Sequence, residues 1–122
     1  DNLIVQKIAA NPNTLGMFGF SFLEENSDKI KDVPISGVTP TFESISTGKF
    51  PASRPLFIYG KIQHMRAVKG MKEFIAEYTK ESVSGPGGML SKRGLVAKPA
   101  AVRAKYAAIA KNLTPLDIST LK

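Results

Sequence analysis

The stretch Gly37 to Lys61, GVTPTFESISTGKFPASRPLFIYGK, limits the fold more than any other, because three prolines and three glycines divide it into pieces with little conformational choice. Thr39 is positioned to cap a short helix, and Pro40 suits a first helical turn, where a missing N–H costs nothing. Thr41 to Ser46 then form the helix body, with Phe42 and Ile45 three apart on one face. Gly48 stands where a left-handed residue ends a helix. Phe50-Pro51 and Arg54-Pro55 keep the chain extended, because the residue before a proline is pushed out of the helical region. Leu56-Phe57-Ile58-Tyr59 is short, apolar and rich in β-formers, the pattern of a strand covered on both faces.

The other elements arrange themselves around that piece. Leu3, Ile4, Ile8 and the following alanines predict a first helix with Asp1 as its cap; Asn11-Pro12-Asn13 stops it. A chain that opens so abruptly in a helix is expected to have lost something upstream. Met17 to Phe20 reads as a short strand, and Ser21 as the cap of a helical turn from Phe22 to Asn26. Ile30, Val33 and Ile35 suggest a second strand, confined to an edge by Pro34. Val68, Met71, Phe74, Ile75 and Tyr78 share one helical face, predicting a helix from about Ala67 to Glu81. Ser84-Gly85-Pro86-Gly87-Gly88 cannot continue it and is expected to be the least ordered part. Pro99 opens a last helix, Ala100 to Leu113, with Val102, Tyr106, Ile109 and Leu113 as its stripe. Short strands alternating with helices predict an α/β fold with a small mixed sheet and flanking helices. About three strands make a poor sheet alone, so its completion is expected from further chain or from another copy.

Composition narrows the function. The 122 residues suffice for one small core, and the absence of cysteine excludes disulfides and thiolate sites. One histidine excludes a multi-histidine metal centre within one chain. The net charge is +7, but residues 49 to 111 hold 13 Lys plus Arg against 3 Glu. Such a basic half attracts small anions, nucleic acid or anionic lipid, or forms an ordinary solvated surface.

The anchor stretch also resembles the segment that leads from the second lobe back to the first in the periplasmic phosphate-binding proteins of ABC transporters, of the type II periplasmic-binding-protein-like superfamily. NTLGMFGFSF, Asn13 to Phe22, resembles another of their segments; Val68 to Tyr78 resembles their penultimate long helix, and Gly94-Leu95-Val96 with the alanine-rich helix their C-terminal one. The whole chain matches, but only to the C-terminal portion of a family whose members are more than twice as long. The resemblance implies a two-lobed fold that closes on its ligand like a hinge. Residues 1–53 would belong to the second lobe and 54–122 to the first, with Arg54, Pro55 and Leu56 in the hinge. It implies a phosphate-binding component of an uptake system, periplasmic or otherwise exported, working with a membrane permease. The same architecture could serve sulfate or molybdate.

Phosphate in that family is held without metal or cofactor, by helix N-termini, Ser and Thr hydroxyls, an Arg and an Asp. The motifs that supply them do not occur here, so no ligand residue carries over. The weak candidates are Thr39 and Thr41, at a helix N-terminus, and Arg54, before the return strand. Their plain readings are capping and a backbone or ion-pair contact. His64 reads as exposed, and Ser84 to Gly88 as a connector, since a phosphate loop follows a strand and opens a helix. Lys61, Arg66, Lys69 and Lys72 lack the interleaved aromatics that nucleic-acid stacking needs, so no nucleic-acid partner is expected, although a small basic nucleic-acid-binding module is the alternative class. Nucleophilic catalysis needs a base beside its nucleophile, and no such pairing is visible, so a non-enzyme is expected. Lobes cut apart expose apolar surface, so a self-associating homodimer formed by element exchange is a further expectation.

Overall fold

The computed structural model describes residues 2–120; the Asp1 cap lies outside the described residues. Helix α1, Asn2–Ala10, places Val5 in the interior. The Asn11 carbonyl then accepts the Thr14 amide, and the connector passes so close that a Cβ on Gly16 would meet Ile4 and Ile8 of α1. Helix α2, Phe20–Glu25, starts at Gly19 rather than at Ser21, and Asn26 closes it by donating from Nδ2 to the Phe22 carbonyl at 2.9 Å. Helix α3, Phe42–Ser46, is capped by Thr41 and not by Thr39. Gly48 has the expected positive φ, +77°. Phe20 meets Phe42 edge-on, with ring centroids 6.0 Å apart, which joins α2 to α3.

The expected strands and their mixed sheet do not form among the described residues. The run from Met17 is open chain that enters α2 at Phe20. Ile30 is buried singly. Ile35 and Val38 make one antiparallel bridge around a two-residue turn whose residues, Ser36 and Gly37, both have positive φ. Leu56 to Tyr59 belongs to no helix or turn, and its backbone pairs with nothing among the described residues. The cause is the need of a strand for a neighbour to take its ladder bonds. Pro34 interrupts one partner, and the helix drawn from Phe20 consumes another.

The C-terminal half is helical. Helix α4, Met71–Tyr78, begins later than its apolar pattern, because Gly70 precedes it at φ +84°. It ends before Lys80, whose extended backbone separates it from α5, Glu81–Ser84. Helix α6, Ala100–Asn112, closes on Leu113 in the left-handed region. Helix α4 packs against both α5 and α6. Met71, Ile75 and Tyr78 are half-buried there, while Phe74 remains exposed. The loop expected to be loosest is tightly knit. The amides of Met89 and Leu90 donate to the carbonyls of Ser82 and Val83, and Ser91 Oγ donates to the Gly85 carbonyl at 2.9 Å. Gly85 and Gly88 are buried. A glycine-rich sequence can be rigid where missing side chains let carbonyls converge.

The packing leaves a large surface. The chain exposes 9438 Å², whereas a folded monomer of 13.2 kDa exposes ~6,400 Å² by the usual scaling. Among described apolar side chains only Val5, Ile30 and Val83 are buried. Gly88→Ala tests the knit loop, since an added Cβ would lie 2.8 to 3.0 Å from the carbonyl oxygens of Val83, Gly85 and Glu81. The substitution is expected to destabilise by about 1–3 kcal/mol in urea unfolding, and an unchanged midpoint would show that the loop yields freely.

Candidate functional site

The first turn of α3 places the threonine candidates. Thr41 Oγ1 accepts the Ser44 amide at 3.1 Å, and Ser44 Oγ accepts the Thr41 amide at 2.8 Å, a reciprocal cap. Ser44 Oγ also donates to the Thr39 carbonyl at 2.7 Å. Ser44 is buried, so this small network fixes the helix entry. Arg54 Nη1 donates to the carbonyls of Pro51 and Ser53, at 3.1 and 2.9 Å. No hydrogen bond or ion pair joins Thr39, Thr41 and Arg54. His64 is exposed, and its carbonyl accepts the amides of Ala67 and Val68. No metal-holding group of His, Cys, Asp and Glu occurs among the described residues.

The geometry does bring other groups together, at the start of α6. Arg103 reaches back across a 22-residue separation, where Nε and Nη2 donate to the two carboxylate oxygens of Glu81 at 2.9 and 2.8 Å. Its Nη1 donates to the Lys98 carbonyl. Ser46 Oγ donates to the Ala97 carbonyl at 2.6 Å, tying α3 to the same place. Between them lies a cavity of about 400 Å³ walled by Phe42, Glu43, Ser46, Pro86, Lys98 and Arg103, among others. Lys98 and Glu43 bring opposite charges to its lining, and Arg103 is already engaged with Glu81. None of Thr39, Thr41 and Arg54 lines it. Sequence spacing carried no sign of these contacts, because they join residues 22 and 51 positions apart.

Comparison with known proteins gives the chain its relatives. It is 38% identical over 103 residues to the phosphate-binding protein PstS of Staphylococcus haemolyticus, covering 80% of this chain and 31% of that protein. The PstS of Staphylococcus saprophyticus is 39% identical over 79 residues, covering 61% of this chain and 25% of its own. That of Staphylococcus aureus is 34% identical over 103 residues, covering 80% and 30%. The chain is similar in sequence to these phosphate-binding proteins. It spans about a third of the length of these PstS relatives. No protein-family model matches the chain, and no solved structure matches it significantly. The relatives are named for binding and not for a reaction. No described helix is long and apolar enough to cross a membrane.

The Glu81–Arg103 pair is two-pronged, and its Arg103 side chain is largely covered. The hydrogen bond from Arg103 lowers the Glu81 carboxyl below its ordinary value, and Glu81 raises the Arg103 guanidinium in return. A depressed carboxyl stabilises the fold above its unfolded pKa, and that contribution is lost as pH falls through the folded value. Thermal unfolding is therefore expected to give Glu81→Gln a lower Tm than the unaltered chain at pH 7. The difference should shrink as pH drops below about 4.3, the ordinary glutamate range. A Tm gap that does not change with pH would mean that the pair is held by shape and not by charge.

Proposed function

We propose that this chain is the C-terminal portion of a phosphate-binding component of an ABC-type phosphate uptake system, exported to the periplasm or cell envelope and working with a membrane permease. The observation that carries the reading is the identity of 34–38% to PstS relatives, reaching across four-fifths of the chain. In this reading the chain supplies scaffold and hinge, catalyses nothing, and holds little of the anion. Residues 1–53 belong to one lobe and 54–122 to the other, with Arg54, Pro55 and Leu56 at the crossing. Two features support it. Thr41 Oγ1 is occupied in the cap of a five-residue helix, and Arg54 turns its Nη1 to the nearby carbonyls of Pro51 and Ser53. Leu56 to Tyr59 is apolar, exposed and unpaired, as a crossing strand is when its sheet comes from elsewhere.

A chimera tests this directly. Replacing the aligned segment of the Staphylococcus haemolyticus relative with this chain is expected to preserve phosphate binding in calorimetric titration, whereas the isolated chain binds phosphate weakly or not at all. Micromolar binding by the isolated chain would place the ligand groups here and overturn the scaffold reading. Loss of binding by a folded chimera would overturn the shared function.

A further inference from the structure

Two contacts join residues 1–53 to residues 54–122 away from the crossing itself. Ser46 Oγ, at the end of α3, donates to the Ala97 carbonyl at 2.6 Å. Gly94, at φ +88°, lies so close to Ser21 of α2 that a Cβ on it would meet the serine side chain. Ala97 and Gly94 belong to one short link, Gly94 to Pro99, which leads into α6. Each side of this contact is tied to an end of the crossing. On one side the Phe50 amide donates to the Ser44 carbonyl at 2.9 Å and the Ser53 amide to the Phe50 carbonyl at 3.0 Å, so α3 reaches Arg54 through a folded turn. On the other, Gly60 lies close against Ile75 of α4, α4 packs on α5 and α6, and Arg103 holds both Glu81 and the Lys98 carbonyl. The described residues thus form a ring, closed by the covalent crossing at one place and by the link at another. A cavity of about 400 Å³ opens beside the link, between Phe42 and Glu43 of α3 and Lys98 and Pro99. No close-packed apolar seam has to be broken there for the two sides to turn.

We propose that the link Gly94 to Pro99 is a non-covalent joint of the hinge, which bears on Ser21 and Ser46 and restricts how the two lobes turn against each other. The inference rests on the phosphate-binding reading, with its lobes at residues 1–53 and 54–122, and deepens it. Extended chain that crosses between two bodies lets them twist as well as swing. A contact set off from the crossing suppresses the twist and leaves the swing. The effect on binding has a definite sign. With phosphate held between the lobes, the ligand itself fixes their orientation, and the joint adds little further restriction. Without phosphate, the joint limits the twist. Losing it therefore widens the range of open orientations and hardly alters the closed one. The apparent affinity then falls in proportion to the fraction of molecules still poised to close.

The chimera with the Staphylococcus haemolyticus relative carries the test, because its own phosphate binding checks the reading first. A folded chimera that binds no phosphate overturns the reading and this inference with it. In a chimera that binds, Ser46→Ala is expected to weaken phosphate binding about threefold to tenfold in calorimetric titration. Ser46→Thr, which keeps a hydroxyl, should stay within about twofold. Gly94→Ala should weaken binding as Ser46→Ala does, since its Cβ wedges the link off Ser21. Gly70→Ala, at φ +84° in open space, brings the same backbone strain without the wedge and should leave binding unchanged. Adding Ser21→Gly to Gly94→Ala removes the collision and should return binding to the Gly70→Ala level. Small-angle scattering gives a readout that mere support of the fold would not. Ser46→Ala should enlarge the radius of gyration without phosphate and leave it unchanged at saturating phosphate. Circular dichroism checks folding, and the Ser46 variants decide alone if a glycine variant does not fold. Unchanged affinity for Ser46→Ala, equal losses for Gly94→Ala and Gly70→Ala, no rescue by Ser21→Gly, or an altered radius at saturating phosphate would each overturn the joint and leave the phosphate reading standing.

Discussion

A β-strand depends on a neighbour that takes up its backbone from the side, and no described residue does so for residues 54 to 60. Much else in the molecule follows from that lack. Covering an apolar side chain fully is worth about 1.5–3 kcal/mol, and four such side chains in a row stand half or more exposed. Against total stabilities of about 5–15 kcal/mol for whole domains, several kcal/mol are left uncollected along this one segment. The large exposed surface and the thin interior are the same fact seen from outside. At the end of the segment Gly60 lies close against Ile75 of α4 and Met65.

Polar and steric detail holds the remainder together. Helices α2, α3 and α5 have six, five and four residues, far below the length at which a helix is stable alone. Each is therefore held from outside or by its ends. Phe20 against Phe42 joins α2 and α3, and the reciprocal Thr41–Ser44 cap fixes where α3 begins. Ser46 and Arg103 bind the start of α6 to α3 and α5. Gly94, at φ +88°, comes so close to Ser21 that any side chain there would collide, which brings the glycine turn against α2. Such contacts give definition, but they add little hydrophobic energy, and most are solvent-exposed at one partner.

The parts legible from sequence were those specified within a few residues. The 3.6-residue apolar stripes placed α1 and α6 almost to the residue, and the Gly48 turn followed from glycine alone. The α3 cap was misplaced by two residues because Thr39 and Thr41 are both good caps around Pro40; the buried Ser44 hydroxyl, which locks onto Thr41, decides between them. The strands were illegible for a different reason. Their apolar runs are genuine, but a run becomes a strand only through a partner distant in sequence. The glycine-rich loop misled in the opposite direction, since composition records freedom of the backbone and not the carbonyls that converge on it. Around the candidate site, the Thr41 cap is specified within four residues and could be read locally, while the Glu81–Arg103 pair left no mark in local spacing.

The charge pattern remains to be fitted to the proposed function. Ion pairs take Lys49, Lys80 and Arg103, leaving Lys61, Arg66, Lys69 and Lys72 without a carboxylate partner among the described residues. A cation need not touch an anion to affect its capture. Summed surface charge raises the local anion concentration and the encounter rate over about a Debye length, ~8 Å at physiological salt. Under the proposed function, a basic scaffold beside the cleft would speed phosphate arrival without contributing to the affinity of the closed state. That separates two roles within one protein. Ligand groups set what is bound and how tightly, and are local and exact in geometry; the basic surface sets how fast, and tolerates any arrangement that keeps its net sign.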